Sequence, residues 1–177
     1  MSGRTLWQFN GRQRPAFAEV PGPGHESVWD YPRPPRLQAD ARRVVVRAGD
    51  SVIADSRRSI RVLETASPPS FYLPPQDVDL RRLEAIGSAS LCEWKGAAAY
   101  RSIVLPDGTR LEAAAWCYPQ PQRAFAAIAG WLSFYPARVA CEVDGQRVRA
   151  QPGGFYGGWL TNEIVGPVKG VSGSDHW

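Results

Sequence analysis

Histidine is nearly missing from this 177-residue chain: there are two, His25 and His176, and none between them. A Ser-His or Cys-His nucleophilic pair would have to draw on one of these outlying residues, and a histidine-based metal site has no ligands in the body of the chain. Cysteine is sparse as well. Cys92, Cys117 and Cys141 stand far apart without a Cys-x-x-Cys pair, which argues against a disulfide framework and against a four-ligand zinc site. Free thiols make the cytoplasm the expected location. No apolar run approaches the roughly 18 residues of a membrane span, and MSGRTLWQFNGRQR lacks an apolar signal core, so neither membrane nor leader is expected. Arginine and aromatic residues do not interleave as on a nucleic-acid surface, so no nucleic-acid partner is expected. No metal and no cofactor is expected either.

Lysine is the most telling scarcity. Lys95 and Lys169 stand against 19 arginines. A coding bias toward arginine accounts for the ratio. Under such a bias, a retained lysine can mark a place that requires a compact ammonium, with Lys95 the stronger case.

What is present describes a β-rich body. Hydrophobic residues make up 44% of the chain, enough for a globular core, while 17 Gly and 16 Pro argue against a helical bundle. The net charge of +4 lies wholly in residues 1–47, with 8 basic and 4 acidic groups. That segment reads as a solvated basic arm or as an attraction for an anionic partner.

Along the chain, residues 1–41 read as an extended Pro-rich arm, residues 42–150 as one β-rich domain, and residues 151–177 as a Gly/aromatic extension packing on it. The arm contains Trp7, Phe9, Phe17, Trp29 and Tyr31, more aromatics than a solvated linker carries, so it is expected to pack on its own body or on a partner subunit. Residues 43–55 read as a hairpin, 61–64 and 70–73 as further strands, the latter at an edge, and 77–86 as a short helix or 3₁₀ turn. Leu105-Pro106-Asp107-Gly108 forms a type I turn with a left-handed Gly108, which pairs Leu105 with Thr109. Extending that register sets Tyr100 opposite Ala114, Ser102 opposite Glu112 and Ala98 opposite Trp116. A two-residue loop shifts the pairing by one. Either way Arg110, Glu112 and Trp116 share a face of their strand. Pro121, the stripe Ala124, Phe125 and Ile128, and Gly130 as a cap predict one short helix over 121–129. Residues 131–135 return as a strand, and 138–150 form a last hairpin around Asp144-Gly145.

A set of ordered segments resembles a known family. They run TyrProArgProProArg (31–36), AlaAspSerArgArg (54–58), ArgValLeuGluThr (61–65), ProProSerPheTyrLeuPro (68–74), CysGluTrpLysGly (92–96), AlaAlaTrpCysTyrProGlnPro (114–121), AlaAlaIleAlaGly (126–130), PheTyrPro (134–136) and ValAspGly (143–145). Together they resemble the bacterial and fungal family called domain of unknown function 427, over about residues 31–150. CysGluTrpLysGly departs from the family's usual Cys-Pro-Tyr-Lys-Gly. The glycine-rich C-terminal segment is similar to an extension in some actinobacterial members. The resemblance implies a small, mostly β domain of the β-tent, Mss4-like kind, with antiparallel sheets and one helix. A nucleotidyltransferase label is sometimes attached to the family. This chain lacks a Gly-Ser motif followed by paired Asp, and it has no phosphate loop.

Three groups of residues are candidates for chemistry. Lys95 and Tyr100 flank Gly96, and a bulge there aims Lys95 into a cleft beside Tyr100. The pair then serves as acid and base, or Lys95 holds an anionic group. The bland reading is a surface lysine and a half-buried strand tyrosine. Cys92 is a weaker nucleophile candidate, without a histidine neighbour. Trp94, Trp116, Tyr118, Tyr135, Phe155, Tyr156 and Trp159 either line a pocket for a planar ligand, with Arg110 and Glu112 beside Trp116, or pack the core. Tyr135 and Phe125 read as core. Asp55, Arg57, Arg58, Arg61 and Glu64 form a charged cluster, read as solvated ion pairs or as Asp55 acting as a base with Arg58 or Arg61 binding an anion.

Two functions of different class follow. One is a β-domain that binds a small polar or planar molecule in an aromatic cleft, with acid–base chemistry by Lys95 and Tyr100 if it is an enzyme. The other is a non-catalytic binding or assembly module using the basic arm. Mg²⁺-dependent nucleotidyl transfer is a weaker third. A homo-oligomer is compatible with each.

Overall fold

The computed structural model describes residues 7–177. Nine strands have three or more residues: β1 Arg36–Asp40, β2 Val44–Ala48, β3 Ser51–Ser56, β4 Ser59–Leu63, β5 Ser70–Tyr72, β6 Leu83–Cys92, β7 Gly96–Val104, β8 Arg110–Cys117 and β9 Ala140–Val143. The fold is mostly β, in several antiparallel sheets. Among the described residues no helix is long and apolar enough to cross a membrane.

Three sheets carry the body. One orders Gln146–Arg147, β9, β2 and β3. Val44, Val45 and Val46 of β2 are all buried, the continuous apolar run of a strand covered on both faces. The second orders Ser133–Phe134, β8, β7 and β6, and the third orders β1, β4 and β5, so the 70–72 strand is an edge as expected. The main core gathers between the sheets from Val44, Val46, Ile53, Phe71, Ile103, Ala115, Cys141 and Trp159. Burial pushes the Cys141 thiol up, as it does that of Cys117, so both are inert packing residues.

Turn chemistry decides the connections. Asp144 and Gly145 take φ of 47° and 77° between β9 and Gln146–Arg147, the left-handed pair that a two-residue hairpin loop requires. Leu105 N–H donates to the Thr109 carbonyl at 2.8 Å, with Gly108 at φ 85°, so the expected three-residue loop joins β7 and β8.

One local expectation is corrected. The helix at 121–129 is two merged 3₁₀ turns over Arg123–Ile128, kinked at Phe125. Phe125 and Ile128 are buried but Ala124 is exposed, because a tighter helix with a break does not hold an α-helical stripe. Within the stretch 1–41, one segment pairs into a sheet. Residues 36–40 are strand β1, paired along its length with β4.

The rest of the described arm packs on the chain's own body. Trp29 is fully buried, and its indole N–H donates to the Pro167 carbonyl at 2.9 Å. Phe9, Phe17 and Trp177 surround it with ring centroids 5.0–5.2 Å away. Glu26–Ser27 runs parallel to Ile164–Val165, so arm and C-terminal segment are stitched together. The arm's charge is partly neutralised as well. Arg14 pairs with Asp30, Arg33 with Glu64, and Arg42 with both Asp40 and Glu163.

A buried ionic knot joins the arm, a sheet and the C-terminal segment. The Arg61 guanidinium, 3% exposed, lies 3.1 Å from Glu26 and 3.3 Å from Asp40. Arg42 meets Asp40 from the other side at 2.7 Å. Burial pushes the Asp40 carboxyl up, but hydrogen bonds from the Arg42 side chain and backbone, with the charges of Arg42 and Arg61, more than offset it and hold it below its usual value. A depressed carboxyl contributes stability that is present above its unfolded pKa and lost as pH falls through its folded one. The urea midpoint should therefore drop as pH is lowered below about 4. Asp40→Asn should lower it at pH 7 and flatten that acid limb; an equally steep limb in the variant contradicts the assignment.

Trp159 is fully buried, stacked on Phe71 at 4.9 Å, and donates to the Phe134 carbonyl at 2.9 Å. Trp159→Ala should cost about 3–5 kcal/mol by denaturant unfolding. A loss under about 1 kcal/mol would mean that the C-terminal segment is not part of the core.

Candidate functional site

A cavity of about 220 Å³ opens where the second and third sheets meet the C-terminal segment. Five of the six tyrosines of the chain line it: Tyr72, Tyr100, Tyr118, Tyr135 and Tyr156. Trp116 and Lys95 complete the wall.

The β7–β8 hairpin shapes this wall through a bulge. Near the loop the expected register holds, with Val104 opposite Arg110 and Ile103 opposite Leu111. Beyond it the pairing moves by two residues, so Tyr100 faces Trp116 and Ala99 faces Cys117. The expected pairs Tyr100 with Ala114 and Ala98 with Trp116 are thereby corrected. The cause lies at Ala113, which takes φ 47°. Its N–H donates to the Ser102 hydroxyl, which in turn donates to the Glu112 carboxylate at 2.9 Å. The buried Ser102 side chain supplies the hydrogen bond that the interrupted ladder gives up. The consequence is direct: the bulge brings Tyr100 and Trp116 side by side.

Lys95 sits in the tight turn between β6 and β7, where Cys92 pairs with Gly96. Gly96 adopts φ 97°, and the Lys95 carbonyl accepts from Gln122 N–H at 3.0 Å, which anchors the turn on the 3₁₀ segment. Gly96 is thus a hairpin glycine rather than a bulge, and Lys95 and Tyr100 both line the cavity. The side chain is 8% exposed, with its Nζ 5.6 Å from the Tyr118 ring centroid and 5.8 Å from that of Phe125. Among the described residues, no carboxylate pairs with this ammonium and no acceptor takes its hydrogen bonds.

Around it the hydroxyls are ordered. Tyr100 Oη and Ser90 Oγ share a hydrogen bond of 2.8 Å across β6 and β7. Trp116 Nε1 donates to Tyr72 Oη at 3.0 Å, and the Trp116 and Tyr135 rings lie 4.5 Å apart. Burial pushes the Tyr72, Tyr118 and Tyr135 hydroxyls up, and neighbouring tyrosines add to the rise for Tyr118 and Tyr135. All three are neutral donors at ordinary pH. Two further polar side chains of the wall have partners in the chain. Gln151 donates to the Lys169 carbonyl and accepts from Gly158 N–H. Glu64 takes the Trp94 indole N–H at 3.3 Å and lies 3.4 Å from Arg33.

Several candidate residues fall elsewhere. Trp159 is in the main core and Trp94 is tied to Glu64, so neither lines the cavity. Arg110 forms exposed ion pairs with Glu112 and with Glu84. The charged cluster at 55–64 is dispersed: Asp55 pairs with Arg43, Arg58 with Asp77, and Arg61 with Glu26 and Asp40. Those partners come from strands and turns far away in sequence, so adjacency along the chain misleads. Asp55 lines only a shallow depression on β3 with Asp77 and Asp79. Cys92 lines the cavity and is half-buried.

Tyr135, read as core, is a wall residue. Tyr72, Ser90 and Gln151 carried no signal, because their places depend on which strands pair, and Glu64 was read only as part of the charged cluster. Lys169, the other lysine, is also 8% exposed, but its Nζ donates to the Trp177 carbonyl at 3.0 Å. Burial, then the charge of Arg33, holds it below its usual value. Both lysines thus occupy buried positions, and only Lys95 has its ammonium unengaged among the described residues.

Among the described residues, no three His, Cys, Asp or Glu side chains converge as metal ligands. The cavity offers one carboxylate, Glu64, already engaged, so its residues do not fit a Mg²⁺–nucleotide site.

A mostly β fold of antiparallel sheets with an aromatic cavity defines the class. The family model described as Domain of unknown function (DUF427), which carries a nucleotidyltransferase label, matches residues 36–145, and the chain belongs to this family. No curated protein matches the chain.

The C-terminal segment closes the cavity through glycines. A Cβ on Gly157 would lie 2.3 Å from the Trp116 ring. Gly157→Ala should cost about 1–3 kcal/mol by overpacking. Gly87→Ala, where a Cβ meets nothing within 4 Å, should be neutral. Equal unfolding midpoints for the two variants would contradict the contact.

Proposed function

We propose that this chain binds a small planar molecule bearing a polar group in the tyrosine-lined cavity. Lys95 and Tyr100 are its polar contacts, poised for proton transfer. The observation that carries the reading is the Lys95 ammonium, 8% exposed and without an ion pair or hydrogen bond among the described residues. The Lys95 stem is buried and its ammonium lies against the faces of Tyr118 and Phe125 with no protein anion to meet it. A ligand oxygen supplies what the fold withholds.

The chemistry follows from the same groups. Charge developing on a ligand oxygen beside Lys95 is stabilised by a fixed ammonium in a site of low polarity. Tyr100 donates or receives a proton, and its bond to Ser90 gives that proton a path toward solvent. The flat walls of Trp116 and Tyr135 favour a ring. The cavity volume, about 220 Å³, lies below the roughly 300–1,000 Å³ of sites for drug-sized ligands, which favours a single ring over a nucleotide. The arm's aromatics are engaged within the chain, which takes away the observation that would favour an assembly module.

Thermal-shift screening of planar polar molecules against the full chain tests this. A ligand at 100 times its dissociation constant stabilises by about 2.7 kcal/mol. For a chain of this size that is a rise of about 5–11 °C. The rise should vanish in Lys95→Met, while Tyr100→Phe should retain binding and lose any turnover. A rise that is unchanged in Lys95→Met, or one seen only with nucleotides and Mg²⁺, overturns the reading.

A further inference from the structure

We infer that the ligand of the cavity is a planar monoanion: a carboxylate carried on a single ring, with its oxygens on Lys95 Nζ. The inference rests on the cavity being a ligand site and adds the charge and class of what enters it.

Lys95 is the one cation among the described residues that line the cavity. Lys95 Nζ has no acceptor among the described residues. Tyr118 and Tyr135 are buried and neutral, with their hydroxyls turned to Cys92 and Tyr100, so neither adds a negative charge to the wall. Gln151 is engaged at both ends of its amide, and the charge of Glu64 is offset by Arg33 at 3.4 Å, which leaves Lys95 as the unbalanced charge of the cavity. A cavity that presents one ammonium and phenolic O–H groups selects an acceptor. The buried positive charge makes a charged acceptor preferable to a neutral one.

The charge count narrows the class. One ammonium balances one negative charge. A phosphate ester brings nearly two, and the cavity has no arginine fork or second cation to meet the other. A dianion would leave one charge uncompensated among tyrosine rings, at a cost that a carboxylate does not incur. The walls set the shape. Trp116 and Tyr135 at 4.5 Å, with Tyr72 at 6.2 Å from Trp116, form flat surfaces suited to a ring. The bonded Tyr100–Ser90 pair adds a hydroxyl beside it for a second oxygen.

The test is equilibrium titration of the full chain at fixed ionic strength with four single-ring probes: benzoate, benzamide, phenyl phosphate and benzylamine. Benzoate should bind at least tenfold more tightly than benzamide and phenyl phosphate, and benzylamine should not bind. In Lys95→Met, and in the more polar Lys95→Gln if the first variant is unstable, benzoate should fall to the level of benzamide while benzamide is unchanged. If benzamide or phenyl phosphate equals benzoate and binding is lost in Trp116→Phe, the cavity reading stands and the monoanion assignment is overturned. If none of the four binds at millimolar concentration, both are overturned. Unchanged benzoate affinity in the Lys95 variants also overturns the assignment.

Discussion

Trp116 is the residue on which the arrangement turns. It lies opposite Tyr100 in the β7–β8 ladder and opposite Ser133 on its other side. Its indole N–H reaches Tyr72 in a different sheet, and its ring is pressed by Gly157 of the C-terminal segment. One side chain therefore joins two sheets and the segment that closes over them. Its place depends on the bulge at Ala113, because two residues of register decide whether Trp116 faces Tyr100 or Ala98. A core of aliphatic residues would tolerate such a slip better than a wall of flat rings that must meet edge to edge.

The same economy holds at the periphery. The described arm and the C-terminal segment bury their aromatics against each other around Trp29, and their charges meet in the Arg61, Asp40, Arg42 and Glu163 knot. Paired charges there contrast with Lys95. The fold satisfies nearly every buried cation it contains, so an unengaged ammonium in a cavity stands out against its own background. That contrast is the reason the proposed function is placed on Lys95.

Much of the fold was legible in the sequence, for identifiable reasons. Leu-Pro-Asp-Gly and Asp-Gly carry their turn types in their chemistry, and the valine run at 44–46 announces a doubly covered strand. The bulge was not legible, because nothing in Ala113 signals a left-handed backbone; it is imposed by Ser102 from the neighbouring strand. The helical stripe at 124–128 misled because a broken 3₁₀ segment keeps only Phe125 and Ile128 inside. The site was half legible. The rarity of lysine pointed to Lys95, and loop length placed Tyr100 and Trp116 on one hairpin. Tyr72 and Ser90 enter through sheet pairing, and Arg58 and Asp55 leave the picture because their partners, Asp77 and Arg43, come from elsewhere in the fold.

The most direct measurement is a crystal structure of the full chain grown with a bromine-labelled aromatic carboxylic acid. Anomalous scattering locates the ring independently of the protein phases. The account predicts one bromine site inside the tyrosine-lined cavity, with a carboxylate oxygen at roughly 2.7–2.9 Å from Lys95 Nζ. A bromine site elsewhere, or a Lys95 ammonium paired with a protein carboxylate beside an empty cavity, would contradict it.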